Sequence, residues 1–138
     1  MNKYFLFSDI HGNVTALIEA LDEAGFEALN PKHILLGVGD YFDRGDENLG
    51  VLNFLMGFPK DRIYLVRGNH DDFLLDYLLG NDGFFNAEYN GMWSTLANLA
   101  ELDMGQWEVL RDIDKMRFIV NNKHPKLIEF LKLYPTNE

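Results

Sequence analysis

Apolar and polar positions alternate over the first eighty residues in a way that predicts strands and helices in turn. Tyr4-Phe5-Leu6-Phe7 is a short apolar run with the look of a buried strand. Val14, Leu17, Ile18 and Leu21 then recur at helical spacing. Asn13 can cap that helix and Gly25 can stop it. His33-Ile34-Leu35-Leu36, just after Pro31, predicts a second strand. Leu49, Leu52, Asn53 and Met56 predict a second helix that closes near Gly57 and Pro59. Ile63-Tyr64-Leu65-Val66 predicts a third strand, and Phe73, Leu74, Tyr77 and Leu78 a third helix ending at Gly80.

The order β-α-β-α-β-α with short connections predicts an α/β fold. A mostly parallel sheet is flanked by helices, and the crossovers are right-handed. The pattern changes after Gly80. Asn81 to Gly91, rich in Asn and Gly, reads as a long loop. Trp93 to Met104 reads as a helix with Leu96, Leu99 and Ala100 on one side. Gln106 to Val120 reads either as a helix or as a helix running into a strand. Pro125 opens a last amphipathic helix carrying Leu127, Ile128, Phe130, Leu131 and Leu133, which ends at Tyr134-Pro135. Residues 1–80 are expected to form a half-domain, and residues 81–138 a helical insertion within the same domain.

The length, 138 residues, suits one domain with a core. Apolar residues make up 47% and charged residues 25%, a globular balance and not a disordered one. The chain has no cysteine, which excludes a disulfide framework, a thiolate zinc finger and a thiol nucleophile, and fits a reducing cytoplasm. A formal net charge of −10 argues against a nucleic-acid backbone as partner. It does not argue against a phosphate held through cations, which reverse the local field. No uncharged apolar stretch approaches the ~20 residues that span a bilayer. The N-terminal apolar run is too short for a signal peptide and stops before Asp9.

A polar cluster follows each predicted strand directly. These are Ser8-Asp9-Ile10-His11-Gly12-Asn13, Gly39-Asp40-Tyr41-Phe42-Asp43-Arg44-Gly45 and Arg67-Gly68-Asn69-His70-Asp71-Asp72. In an open α/β sheet, ligands sit beyond the carboxyl ends of the parallel strands, so all three clusters converge on one edge. On extended backbone Asp9 and His11, two apart, point to the same side. Carboxylates with an imidazole and an amide oxygen suit manganese, iron, zinc or nickel, not soft-metal sites. A central carboxylate such as Asp40 can bridge two ions about 4 Å apart, as in-line phosphoryl displacement requires. Arg44 can offer a forked donor to phosphate oxygens. Taken singly, each cluster has an ordinary reading. Asp-x-His has little specificity, Asn69 or Asp71 can simply cap a helix, and Asp43-Arg44 can be a solvated pair. The occurrence of all three together, in order and each at a strand end, carries the metal-site reading.

Asp9-Ile10-His11, Gly39-Asp40-Tyr41-Phe42-Asp43-Arg44-Gly45 and Gly68-Asn69-His70-Asp71 resemble the three N-terminal motifs of the calcineurin-like metallophosphoesterases. The Asp-Arg-Gly form resembles the serine/threonine protein phosphatase branch with its bacterial and phage relatives, which include diadenosine tetraphosphate hydrolases. The resemblance covers Met1 to about Leu79. It implies a hydrolase acting through metal-activated water on phosphomonoesters of proteins or small molecules, or on nucleotide polyphosphates. It implies that Asp9 and His11 bind a first metal, Asp40 bridges both metals and Asn69 binds the second. It implies that His70 protonates the leaving oxygen, that Asp43 holds and charges its imidazole, and that Arg44 clamps the phosphate. Manganese is the expected ion. Asp71 stands where the phosphatase branch commonly has Glu.

The family's second half, with its two further His motifs, is not expected in this chain. His33 begins the second strand at the end opposite the site and is expected to be structural or solvated, and His124, which precedes Pro125 in a polar turn, is not expected to be a ligand. The second metal would then keep only Asp40 and Asn69. The half-built sheet would have an exposed edge that invites self-association. The rival reading is a catalytically impaired remnant that retains partial metal binding and acts through association. A Rossmann-like nucleotide binder is excluded, because no Gly-x-Gly-x-x-Gly follows the first strand. Trp93, Trp107, Phe84, Phe85 and Tyr89 read as core before they read as a substrate cap. Lys115, Arg117, Lys123 and Lys126 read as a solvated face.

Overall fold

Three parallel strands form a sheet in sequential order: β1 (Lys3–Phe7), β2 (His33–Gly37) and β3 (Ile63–Leu65). Phe5 pairs with Leu35, and Leu35 with Ile63. The structure, a computed structural model, describes residues 1–82, 84–103, 105–106 and 112–136, with backbone alone for 84–86. The crossovers run through α1 (Val14–Glu23) and α2 (Asn48–Gly57). Asn13 caps α1 as expected, its Oδ1 accepting the Ala16 N–H at 3.1 Å. Leu17 and Leu21 of α1, and Val51, Leu52 and Leu55 of α2, are buried in the core with Phe5, Phe7, Leu35 and Leu65. Each such side chain contributes about 1.5–3 kcal/mol by leaving water.

Sequential strand order with right-handed crossovers sends both helices to the same face of the sheet. The residues alternate accordingly. Phe5, Phe7, Ile63 and Leu65 point into the core, while Tyr4, Leu6 and Tyr64 are 54%, 68% and 55% exposed. Ile34 of the central strand lies on that same second face and is buried, but the described residues leave its neighbours open, which is unusual because parallel sheets are ordinarily covered on both faces.

The remaining helices are α3 (Asn69–Leu78), α4 (Phe84–Tyr89), α5 (Met92–Ala100), α6 (Ile113–Lys123) and α7 (Leu127–Lys132). Met92, Leu96, Leu99, Met116, Val120 and Leu127 are fully buried among them and continue the core.

Two expectations change here, and one left open takes its helical form. Asn81 to Gly91 is not a loop throughout, because α4 occupies its middle. The Asn and Gly residues mostly flank that helix, and Ala87 is buried in the core. The helix beginning near Trp93 ends at Ala100, where Glu101 turns left-handed at φ +57°; Met104 lies outside the described residues. In the stretch Gln106 to Val120, whose ending the sequence leaves open, Gln106 and the residues from Ile113 are helical, and residues 107–111, with Trp107, lie outside the described residues.

The basic face is corrected at one position. Arg117 is not solvated like Lys115 and Lys126. It donates to the carbonyls of Tyr77 at 2.6 Å and Asn81 at 2.5 Å and lies over the Tyr77 ring, tying α6 to the end of α3. Trp93 joins the core, whereas Tyr89 is exposed; the side chains of Phe84 and Phe85 lie outside the described residues. After α7 the chain returns to the sheet. The Arg67 N–H donates to the Pro135 carbonyl at 2.7 Å, and Arg67 and Thr136 form a parallel bridge beside the continuation of β3. Among the described residues no helix is long and apolar enough to cross a membrane.

Candidate metal centre

The three polar clusters occupy the loops at the carboxyl ends of β1, β2 and β3 and are joined through their backbones. Asp9 N–H donates to Gly39 O at 3.0 Å, His11 N–H to Asp40 O at 3.2 Å and Gly12 N–H to Tyr41 O at 2.8 Å. The second and third loops pass back to back. A Cβ added at Gly39, whose φ is +107°, would stand 2.6 Å from Gly68 N, so only glycine fits there. Five non-glycine residues of these loops are left-handed: Asp9 (φ +54°), His11 (+41°), Asp40 (+59°), Asp43 (+76°) and Arg44 (+77°). Asp9 and His11 therefore do not converge through extended backbone, as their spacing suggests. Two left-handed turns held by the neighbouring loop bring them together.

Asp9, His11 and Asp40 each present a ligand atom within 4.8 Å of the others. His11 Nε2 lies 3.9 Å from Asp9 Oδ1. His11 Nδ1 lies 3.0 Å from the Phe42 carbonyl. A carbonyl only accepts, so Nδ1 carries the hydrogen, and in the neutral imidazole Nε2 is the nitrogen with the lone pair. Two carboxylates and a free imidazole nitrogen are a sound donor set for a transition metal. Asn69 is exposed at the start of α3, between Gly68, which lies against Asp40 Oδ1, and His70, whose N–H donates to that oxygen at 3.0 Å.

His70 and Asp43 meet as the resemblance implies. His70 Nδ1 is 2.8 Å from Asp43 Oδ2, both residues are buried, and the His70 ring stands edge-on to His11 at 4.8 Å. Asp43 is therefore no solvated partner of Arg44. Arg44 itself is exposed, yet close enough for its charge to oppose the imidazolium of His70. The hydrogen bond to Asp43 raises the pKa of His70 above its ordinary value; burial opposes this, and the charges of Asp43 and Asp40 add to it. The sign for stability follows. The native chain binds more protons than the unfolded chain between about 6.5 and the raised value, so this contribution is full below about 6.5 and is lost as pH rises through the native pKa. In EDTA, the urea midpoint of the metal-free chain is expected to fall as pH rises above about 6.5 along this limb. Asp43→Asn should flatten that fall, and an unchanged slope would remove the linkage.

Asp71, which the sequence offers as a helix cap and as the residue standing where the phosphatase branch commonly has Glu, holds the backbone of the site together. It is fully buried and accepts three backbone N–H groups: Asp40 at 2.7 Å, Tyr41 at 3.0 Å and Gly68 at 2.9 Å. It thereby staples the Asp40 loop to the start of α3. Burial pushes its carboxyl up to about 6, against the pull of those N–H groups. His33 and His124 stay outside the centre. His33 is buried and its Nδ1 accepts the Glu27 N–H at 3.0 Å, while His124 Nε2 lies 2.7 Å from the Leu99 carbonyl.

A family model described as calcineurin-like phosphoesterase matches residues 3–136. The asymmetrical bis(5'-nucleosyl)-tetraphosphatase PrpE of Bacillus subtilis is 32% identical over 143 aligned positions, covering 96% of this chain and 50% of that protein. PrpE of Bacillus velezensis is 33% identical over 106 positions, covering 72% of the chain and 41% of that protein. Serine/threonine-protein phosphatase 1 of Salmonella typhimurium is 32% identical over 91 positions, covering 66% and 40%. The chain spans half the length of these relatives or less.

Proposed function

The chain belongs to the calcineurin-like phosphoesterase family, and on that premise we propose that it hydrolyses phosphate esters with a metal seated on Asp9, His11 and Asp40. The convergence of those three ligand atoms at the strand ends carries the reading. When bound, the metal supplies water activation and charge neutralisation near neutral pH; manganese is the first choice, and iron, zinc or nickel suit the same donors. The chain's own residues do the rest. His11 offers Nε2 because the Phe42 carbonyl holds Nδ1. Asp40, between His11 and Asn69, is the ligand that would be shared with a second ion, for which Asn69 is this chain's other ligand. Asp43 keeps His70 charged and oriented, so that its remaining N–H can go to the leaving oxygen. Arg44 holds the phosphate.

We read residues 1–80 as the metal-bearing part and 81–138 as a helical segment built onto it, in a cytoplasmic setting that a cysteine-free chain suits. The match to the tetraphosphatase covers more of the chain than the match to the protein phosphatase. A nucleotide polyphosphate is therefore the first substrate to try, with phosphomonoesters beside it. The chain is expected to turn over diadenosine tetraphosphate or p-nitrophenyl phosphate with Mn²⁺ and to stop in EDTA. A chain with Mn²⁺ bound and no turnover of either would contradict the reading.

The bare sheet face favours a second reading, in which the chain binds metal and acts through association. Tyr4, Leu6 and Tyr64 leave apolar surface open on this face, and two copies stacked sheet on sheet would cover it. The chain is expected to run above its monomer mass of 16.0 kDa in light scattering, and Leu6→Lys with Tyr64→Lys to return it to monomer. A monomer throughout would contradict self-association.

A further inference from the structure

We propose that Thr95, on α5, is a positioning residue that fixes the Asp43 carboxylate against His70, so that the helical segment builds the proton donor from behind. The chemistry rests on the phosphoesterase reading; the geometry does not. Asp43 uses each carboxylate oxygen on a different partner. Oδ2 meets His70 Nδ1 at 2.8 Å, and Oδ1 accepts the Thr95 hydroxyl at 2.5 Å. The Asp43 N–H returns a bond to Thr95 Oγ1 at 2.9 Å and shares it with Asn48 Oδ1 at 3.1 Å. Asp43, Thr95 and Asn48 are all fully buried, so no bulk water can take over a lost bond. With both oxygens held, the carboxylate cannot rotate without breaking one of the two contacts. Thr95 suits this task, because a β-branched side chain on a helix has few χ1 choices.

The contact is part of a continuous face. The Gly91 carbonyl accepts the Arg44 N–H at 3.1 Å, Thr95 holds Asp43, and Asn98 Oδ1 accepts from both the backbone and the side-chain amide of Asn48, at 3.0 and 2.9 Å. Positions 91, 95 and 98 recur as i, i+4 and i+7, one face of a helix. That face meets the loop in which Asp43 and Arg44 both sit left-handed, a conformation the loop cannot hold by itself. The Asp43–His70 pair and the backbone of Arg44 are thus set by residues about fifty positions further along the chain.

The test reads the hydrogen bond directly, in EDTA and without substrate. In the ¹⁵N-labelled full chain, the His70 Nδ1–H should give a downfield imidazole proton resonance, assigned by its loss in His70→Gln. In Thr95→Val that resonance is expected to move upfield and to exchange with water at least about tenfold faster, while Thr95→Ser restores both. Should Thr95→Val fail to fold, Thr95→Ala is read the same way. A folded Val or Ala variant with the resonance unmoved would overturn the proposal, and so would an unsubstituted chain without it. With Mn²⁺ and p-nitrophenyl phosphate, Thr95→Val should lower kcat about tenfold, part of the roughly 10²- to 10⁴-fold that a general acid supplies, with KM little changed. If the unsubstituted chain shows no turnover, the phosphoesterase reading fails while the resonance still decides the role of Thr95.

Discussion

Asp40→Asn is expected to weaken Mn²⁺ binding by at least about 100-fold, since losing an outer-shell partner alone costs roughly 10- to 100-fold. The substitution is chosen to spare the fold. Asp40 Oδ1 accepts the His70 N–H, and an Asn carbonyl oxygen can accept the same bond. The Asp40 backbone N–H stays with Asp71. What disappears is the negative charge that a cation between Asp9, His11 and Asp40 needs. Calorimetric titration with Mn²⁺, beside a thermal melt that stays within a few degrees, checks the expectation. An Asp40→Asn chain that melts normally and binds Mn²⁺ as tightly as before would show that Asp40 is no ligand.

His70→Gln is expected to lower turnover by about 10²- to 10⁴-fold, the range for a lost general acid, and to leave Mn²⁺ affinity within a few-fold. Gln can still donate a hydrogen bond toward Asp43 and fill part of the ring's volume, but it cannot deliver a proton. The loss should be larger for phenyl phosphate than for p-nitrophenyl phosphate, because the poorer leaving group depends more on protonation. Asp43→Asn should cost nearly as much, and the double variant little more than either single one, since the two residues act as a unit. Equal losses for both esters would point to a structural role for His70. A loss under tenfold would remove it as the acid.

The alternating elements were legible because each strand and helix carries its own local apolar period. The convergence of the three clusters followed from topology before any coordinate. Asp43 and His70, Asp9 and His11, and Asp40 lie together for that reason. The left-handed backbone at Asp9, His11, Asp40, Asp43 and Arg44 had no such signal. None of these residues is glycine, and neighbouring loops impose the conformation. Asp71 and Thr95 escaped for a related reason. Asp71 looks like a helix cap, and its bonds to Asp40 and Tyr41 span about thirty residues. Thr95 reaches Asp43 across 52 positions. Periodicity does not show the open sheet face; only the resemblance does, because it leaves uncovered the apolar surface that would meet a second half. Tyr4, Leu6 and Tyr64 are as apolar as the buried Phe5, Phe7 and Leu65 beside them, so the strands read as covered on both sides. α4 was masked by the Asn and Gly that flank it, and Arg117 by the charge that makes such a residue look solvated.

Substoichiometric Mn²⁺ added to the ¹⁵N-labelled chain tests the metal centre most directly, because paramagnetic broadening reports where the ion sits without any need for turnover. The amide signals of residues 9–12, 39–41 and 68–70 are expected to vanish first, and those of α6 and α7 to persist. Broadening centred elsewhere on this acidic surface, around Asp112 and Asp114 for example, or no localised broadening at all, would contradict a metal site built from Asp9, His11 and Asp40.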